Sequence, residues 1–287
     1  MNADNLLFRA SSMGDIMTGT KKGWDVENSL TCKRKLVQMY RELMWKRKCN
    51  KSNKYVEKGL AVEEDAITLF CRIKKEVFTK NTTRLNSEFF TGEVDLFIGE
   101  GISKAEKTID IKSCWDWTTL PSICDTVDDD YDYQGQTYMS LTGSKSHTIA
   151  YCLVNTPANL IQDEKRKLAW KMGIIENETL EYIEGCIEIE KNCIVDMDLF
   201  LKHNPFFEFH YNKCELVNSD KVSNYSPEWI WDIPMNERLY EIEVLRDDVK
   251  IEKMQKRIIE CRAWMNINLF NKLLKAAECL RERKYLD

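Results

Sequence analysis

Asp95, Asp110 and Lys112 are close enough in the chain to meet on one surface, and together they offer two carboxylates and an ammonium. Carboxylate oxygens are the ligands that a hard cation such as Mg²⁺ takes, and the ion keeps waters that a substrate phosphate can displace. An amine beside it can hold a water for attack on phosphorus while the ion polarises the phosphoryl oxygen. Phosphodiester hydrolysis is the chemistry this set suits. The same Asp-x-Lys spacing would also occur on the solvated face of an ordinary amphipathic strand.

Residues 92–113 must position that set. Val94, Leu96 and Ile98 alternate with their neighbours, and so do Ile109 and Ile111, the period of half-buried strands. Gly99 and Gly101 supply turn chemistry between them, which predicts an antiparallel hairpin with a rather long loop. With Ile109 and Ile111 facing the core, Asp110 and Lys112 share the other face, and Asp95 lies across from them on the neighbouring strand. Residues 57–77 are helical in pattern, with Glu63, Ile67, Phe70 and Cys71 on one stripe. A carboxylate at the head of an apolar stripe is costly without a partner, and a metal ion would be one. Residues 131–141 read as a short helix on which Gln134 and Tyr138, four apart, share a face. They could orient water or phosphate, or simply be the rim and core of an amphipathic helix.

The ordered series Gly59-x-x-x-Glu63, Gly92-Glu-Val-Asp95, Asp110-Ile-Lys112 and Gln134-x-x-x-Tyr138 resembles the PD-(D/E)xK nuclease superfamily. It is most similar to the phage exonuclease branch that includes lambda exonuclease and the YqaJ-like recombinases. The resemblance covers about residues 55–157 and is fainter at both ends. It implies an α/β fold with a restriction-endonuclease-like core, a mixed central β-sheet flanked by helices. It also implies that Glu63, Asp95, Asp110 and the carbonyl of Ile111 bind Mg²⁺ or Mn²⁺, that Lys112 positions the attacking water, that Gln134 supports that water or the scissile phosphate, and that Tyr138 braces its helix. Two positions depart from the pattern. Val94 stands where the family has proline, and Asp110 where many members have glutamate; neither change removes a charge.

The 287 residues suffice for one large α/β domain, and no linker divides them. The expected organisation is a catalytic core at 55–157, a helical insertion at about 158–227, and a C-terminal strand and long helix at about 236–284. Hydrophobic content of 43% and charged content of 31% are those of a soluble globular chain. No apolar run approaches membrane-spanning length and the first residues carry no signal-peptide pattern, so the expected location is cytoplasmic, the bacterial host cytosol if the gene is a phage's. The eleven cysteines include no Cys-x-x-Cys pair, and Cys186, Cys193 and Cys214 are too loosely spaced to suggest the iron-sulfur cluster of some relatives. The three histidines, His147, His203 and His210, form no ligand spacing and read as ordinary polar residues.

A net charge of −5 conceals a strongly basic stretch at 33–58 that also contains Tyr40, Trp45 and Tyr55. That mix suits a nucleic-acid groove, with Lys46, Arg47, Lys48, Lys51 and Lys54 as candidate contacts; a solvated helix face would read the same way. Upstream, the hydroxyl residues before an apolar helical run signal an N-cap. That segment is similar to the N-terminal serine motif of the exonuclease branch, which makes Arg9 and Ser11 candidates for gripping a 5′ phosphate. Five aspartates at 125–132 offer either a second metal site or a solvated loop and helix N-terminus. Of Trp115 and Trp117, either could stack on DNA, with core packing expected for at least one. Residues 148–155 should form a strand beside the hairpin. Residues 162–172 and 180–191 look helical, Tyr240, Ile242 and Val244 alternate as a late strand, and 247–284 form an amphipathic helix for packing or oligomer contact.

The function expected is metal-dependent exonuclease action on linear duplex DNA, 5′ to 3′, in phage-type recombination. The resemblance also implies a homo-oligomer, with a ring trimer as one form, and a single-strand annealing protein as partner. The alternatives are a RecB-like or Cas4-like nuclease acting on single strands or flaps, and a DNA-binding module without turnover.

Overall fold

The computed structural model describes residues 2–19, 23–49, 52–174, 178–214 and 232–271. In chain order the elements are β1 (Phe8–Arg9), α1 (Met13–Met17), α2 (Leu30–Trp45), α3 (Lys54–Ala61), α4 (Glu63–Lys74), β2 (Leu85–Asn86), β3 (Phe90–Gly92), β4 (Leu96–Gly99) and β5 (Ala105–Ser113). There follow α5 (Asp129–Thr142), β6 (Ser146–Cys152), α6 (Ala158–Met172), α7 (Leu180–Cys193), α8 (Met197–His203), α9 (Tyr211–Cys214), β7 (Leu239–Leu245) and α10 (Asp248–Met265). Candidate residue Lys51 and the tail beyond residue 271 lie outside the described residues.

The expected hairpin forms: β4 and β5 are antiparallel, with Leu96 opposite Ile109 and a one-turn 3-10 helix in the connection. Ile98, beside the hairpin's connecting loop, is exposed rather than core. Next to β5 lies β6, parallel to it, with Asp110 opposite Ile149. The late strand β7 closes the sheet antiparallel to β6, giving the mixed order β4-β5-β6-β7. A smaller sheet, β1-β3-β2, stands apart from it. One face of the large sheet buries Leu96, Ile109, Ala150 and Cys152 against Ala66, Ile67 and Phe70 of α4. Each large side chain buried there contributes about 1.5–3 kcal/mol. Ile149 and Val244 cover the other face together with Met139 of α5. Asp110 and Lys112, whose parity matches Ile149, therefore lie on the α5 side.

Residues 57–77 are two helices, not the continuous one their periodicity suggests. The chain leaves helical geometry at Val62 (φ −117°, ψ 16°). One turn before the break, Lys58 is fully buried and donates to the carbonyls of Trp115 (2.9 Å) and Val154 (2.8 Å). That ammonium fixes α3 against the ends of the strands, while α4 lies along the sheet. Lys58 is thereby removed from the basic surface to which its sequence neighbours belong.

The N-cap expected at the first hydroxyl residues is also absent. Ser12 already has helical backbone angles, as the end of a 3-10 turn over Ala10–Ser12, and makes no side-chain cap. A capping side chain needs an extended residue at that position. The described part of the amphipathic tail packs on the domain. Ile251, Met254, Ile258, Cys261 and Met265 of α10 share a core with Phe8, Met13, Ile16, Cys32, Leu36 and Phe90. Two buried arginines on α10 bind backbone carbonyls there, Arg257 to Ile16 (3.1 Å) and Arg262 to Leu6 (3.0 Å) and Glu88 (2.6 Å). A π-helical turn, Asn266–Phe270, follows α10.

A third cluster joins Trp115 to Leu160, Ile161, Ile183, Ile187, Phe200 and Phe209 across α6, α7 and α8. Within it Lys165 and Glu190 form a buried ion pair, and His210 donates its backbone N–H to Glu190 (2.9 Å). Of the three histidines only His203 is an exposed polar residue; His147 and His210 are buried. Trp115 is core, as expected for one of the pair, and Trp117 is exposed. Asp128 caps α5, and Asp129, Asp130 and Asp132 occupy its first turn, the helix-terminus use of the acidic run.

Gly135 of α5 sits against the ring of His147, where an added Cβ would stand 2.6 Å from Cδ2. In an exposed helix Gly→Ala would gain about 1 kcal/mol. Here overpacking reverses the sign, and Gly135→Ala should lower stability by about 1–3 kcal/mol in chemical denaturation. An unchanged or raised midpoint would show that the contact is slack.

Candidate active site

Asp110 and Lys112 project from the middle of β5 toward α5, and Asp95 comes from the residue just before β4. The Ile111 N–H donates to Asp95 Oδ2 at 2.7 Å, which holds that carboxyl group across the hairpin. Asp95 and Asp110 are hydrogen-bonded to each other. Lys112 Nζ lies 2.5 Å from Asp110 Oδ2 and donates to Gln134 Oε1 at 3.3 Å, with the Tyr131 ring 4.7 Å away. Gln134 in turn donates from Nε2 to the Tyr138 hydroxyl at 2.9 Å. The amide orientation follows, because its oxygen faces the ammonium and its nitrogen the phenol. Asp95, Asp110, Lys112, Gln134 and Tyr138 thus form one connected network between sheet and helix.

Burial, followed by the charge of Asp110, pushes Asp95 up to about 8. Asp110 is held below the usual carboxylate range: burial works against this, but Lys112 outweighs it. Lys112 is likewise raised despite burial, because Asp110 faces it. With Lys112 facing Asp110 rather than Asp95, the proton of the pair is held more readily on Asp95. His147, beneath them on β6, is pushed down to about 4 by burial and stays neutral; its Nδ1 meets Thr108 Oγ1 at 2.9 Å.

Glu63 is not drawn into this network. It opens α4, half-buried, and its carboxylate pairs with Lys80 Nζ at 2.5 Å. Among the described residues no group of three or more His, Cys, Asp and Glu side chains is placed to hold a metal ion. The donor set that does meet, two adjoining carboxyl groups, fits a hard divalent cation, which binds proteins through one or two carboxylates and completes its shell with water and phosphate. Lys80 has no signal in the sequence, because the Thr-Lys-Asn-Thr-Thr segment has no periodicity. The structure holds it through Asn81, whose N–H donates to the Asp95 carbonyl (2.8 Å) and whose side chain donates to that of Val94 (2.9 Å). Lys80 is raised by its hydrogen bond to Glu63, with the charge of Asp95 adding to it.

The candidate DNA contacts are dispersed. Arg9 lies on β1 opposite Thr91, and both it and Ser11 are exposed. Lys46 ends α2 in the left-handed region (φ 52°), with Arg47 and Lys48 exposed beyond it. Lys54 is engaged by Glu164 at 2.9 Å and lies 4.4 Å from the centre of the Trp115 ring.

Helix α4, the β4–β5 hairpin and the parallel passage through α5 to β6 make up a restriction-endonuclease-like fold. Two solved structures share it over nearly the whole chain. A phage-related exonuclease from Haemophilus somnus 129PT is 22% identical, with 94% of this chain and 97% of that one covered at a TM-score of 0.61. An alkaline exonuclease from Laribacter hongkongensis, also solved in complex with dAMP, is 14% identical, with 96% of each chain covered at a TM-score of 0.56. The resemblance carried by the motifs is thus matched by the fold. No family model and no curated protein matches the sequence. Among the described residues no helix is long and apolar enough to cross a membrane.

Proposed function

We propose that this chain is a single-domain, divalent-cation-dependent deoxyribonuclease, an exonuclease that degrades linear duplex DNA from the 5′ end in phage-type recombination. The observation that carries the reading is the Asp95–Asp110 pair, buried against Lys112 and Gln134 on the α5 face of a nuclease fold. Asp95 and Asp110 hold the cation, with Glu63 and the Ile111 carbonyl as further ligands. Bound there, Mg²⁺ or Mn²⁺ would polarise the phosphoryl oxygen and stabilise the leaving oxygen. Lys112 is raised and so remains an ammonium. In that form it works by donating hydrogen bonds that aim the water and offset charge building on the phosphate. Gln134 fixes the direction of that ammonium, and Tyr138 fixes Gln134. Arg9 and Ser11 receive the 5′ phosphate, and the basic residues after α2 hold nucleic acid. A homo-oligomer, such as a ring trimer, and an annealing protein complete the assembly in the bacterial cytosol.

The test is a time course on end-labelled linear duplexes with 5′ phosphate or 5′ hydroxyl ends, beside a closed circle. Release of nucleotides from 5′ phosphate ends, stopped by chelator and restored by Mg²⁺ or Mn²⁺, is the expected result. Cutting the closed circle as fast would refute the exonuclease reading, and absence of any cleavage would favour a binding module.

Lys80 and the cation compete for the Glu63 carboxylate. An exposed ion pair contributes about 0.2–1 kcal/mol. Lys80→Met should therefore tighten Mg²⁺ binding about 1.4- to fivefold in calorimetry without DNA. Unchanged or weaker binding would show that Glu63 is no ligand.

A further inference from the structure

Helix α2 and the residues after it enclose a groove of about 890 Å³. Its lining has six cations, Lys33, Arg34, Lys35, Arg41, Arg47 and Lys48, against two carboxylates, Asp15 and Glu42. This inverts the sign of a chain whose net charge is −5. Both carboxylates are engaged: Asp15 pairs with Lys35 at 3.3 Å, and Glu42 accepts from Gln38 Nε2 (2.9 Å) and the Cys49 N–H (3.0 Å). Lys33 is engaged by Glu27. Arg34, Arg41, Arg47 and Lys48 make no ion pair among the described residues, so their charge is available to a ligand. The left-handed turn at Lys46 and the hydrogen bond from the Arg47 N–H to the Glu42 carbonyl (3.3 Å) bring the chain back along α2, which builds the second wall.

Trp45 identifies the ligand. It lines the groove, it is 61% exposed, and the Arg41 guanidinium lies 5.5 Å from its ring centre. A duplex presents phosphates to a basic surface and keeps its base faces inside, so it would use the cations and leave the indole idle. A single strand offers both phosphates and open base faces, and stacking on an aromatic ring between cations is how such strands are held. We propose that this groove binds a few nucleotides of single-stranded DNA, with a base on Trp45 and phosphates on Arg34, Arg41, Arg47 and Lys48. The site rests on the nuclease reading for the source of its ligand: digestion of one strand of a duplex leaves the other single, and this groove keeps hold of it.

Fluorescence anisotropy in chelator, with a labelled twelve-residue oligothymidylate and a blunt duplex of equal length, tests the proposal on the full chain. The parent should bind the single strand. Trp45→Ala should weaken that binding roughly tenfold, and duplex binding much less. A second variant, Arg34→Gln with Arg47→Gln, should flatten the dependence of log affinity on log salt by about 1.4 for the single strand. Equal losses for both ligands with Trp45→Ala, or no loss, would overturn the proposal. So would a parent that digests linear duplex in Mg²⁺ but does not bind the single strand, a result that leaves the nuclease reading intact. A parent that binds the single strand selectively through Trp45 but cleaves nothing would support the groove and sink the nuclease reading instead.

Discussion

Asp110→Asn and Lys112→Ala are each expected to cut cation-dependent hydrolysis by about a thousandfold, the range for losing a group that acts on the transition state. The two fail for different reasons. Asp110→Asn keeps the shape of the side chain but leaves one carboxylate of the buried pair, and it takes away the partner 2.5 Å from Lys112. Cation binding itself should therefore fall. Lys112→Ala spares both carboxylates, so cation binding should persist while turnover is lost. It also leaves Asp110 buried without its counter-charge, which costs about 3–5 kcal/mol and would show as a lower melting temperature without the cation. Initial rates on a labelled linear duplex, read beside Mg²⁺ calorimetry, separate the cases. A Lys112→Ala enzyme that keeps a tenth of the parent rate would remove the ammonium from the mechanism.

The second large effect concerns Lys58, buried beneath the charged surface of its sequence neighbours. Burial pulls its pKa from 10.5 down to about 8. Below pH 8 the ammonium is charged in both folded and unfolded chains, and folding bears its full desolvation cost. Between pH 8 and 10.5 the folded chain releases the proton first, so the unfolded chain binds more protons and stability rises with pH. At about 1.4 kcal/mol per pH unit the rise amounts to about 3 kcal/mol. Urea denaturation of the parent and of Lys58→Met at pH 7.5 and pH 10 isolates this contribution from other titrating groups. Over this window the difference between the two proteins should move by about 2.4 kcal/mol in the parent's favour at the higher pH. A difference that does not change with pH would mean that Lys58 is hydrated or already neutral.

Elements held by local pattern are legible in the amino-acid sequence. The β4–β5 hairpin alternates because one face rests on α4. Gln134 and Tyr138 face one way because a helix repeats nearly every four residues, and Tyr240, Ile242 and Val244 announce β7 for the same kind of reason. What local pattern does not carry is set by contacts between distant segments. Lys58 counts as one more basic residue until Trp115 and Val154 supply its carbonyls, and the break at Val62 is not marked in the periodicity either. His147 and His210 carry no ligand spacing, yet one is enclosed by Thr108 and Gly135 and the other by Glu190. Charge pairing is illegible in the same way. The apolar stripe marks Glu63 as a carboxylate that needs a partner, but nothing in the stripe points to Lys80, on an irregular segment, as the residue that supplies it.

The core shared by the two ends of the chain also constrains how the molecule is made. The apolar sides of α1 and α2 are finished early in synthesis, but α10, which covers them, begins about 200 residues beyond the end of α2. At about 5–20 residues per second those surfaces stay uncovered for roughly 10–40 s on the ribosome. The β4–β5–α5–β6 unit that carries the aspartates and lysine spans a much shorter stretch and can assemble within that interval. Nascent-chain aggregation, and dependence on chaperones, should therefore trace to the N-terminal helices rather than to the segment that carries the acidic pair.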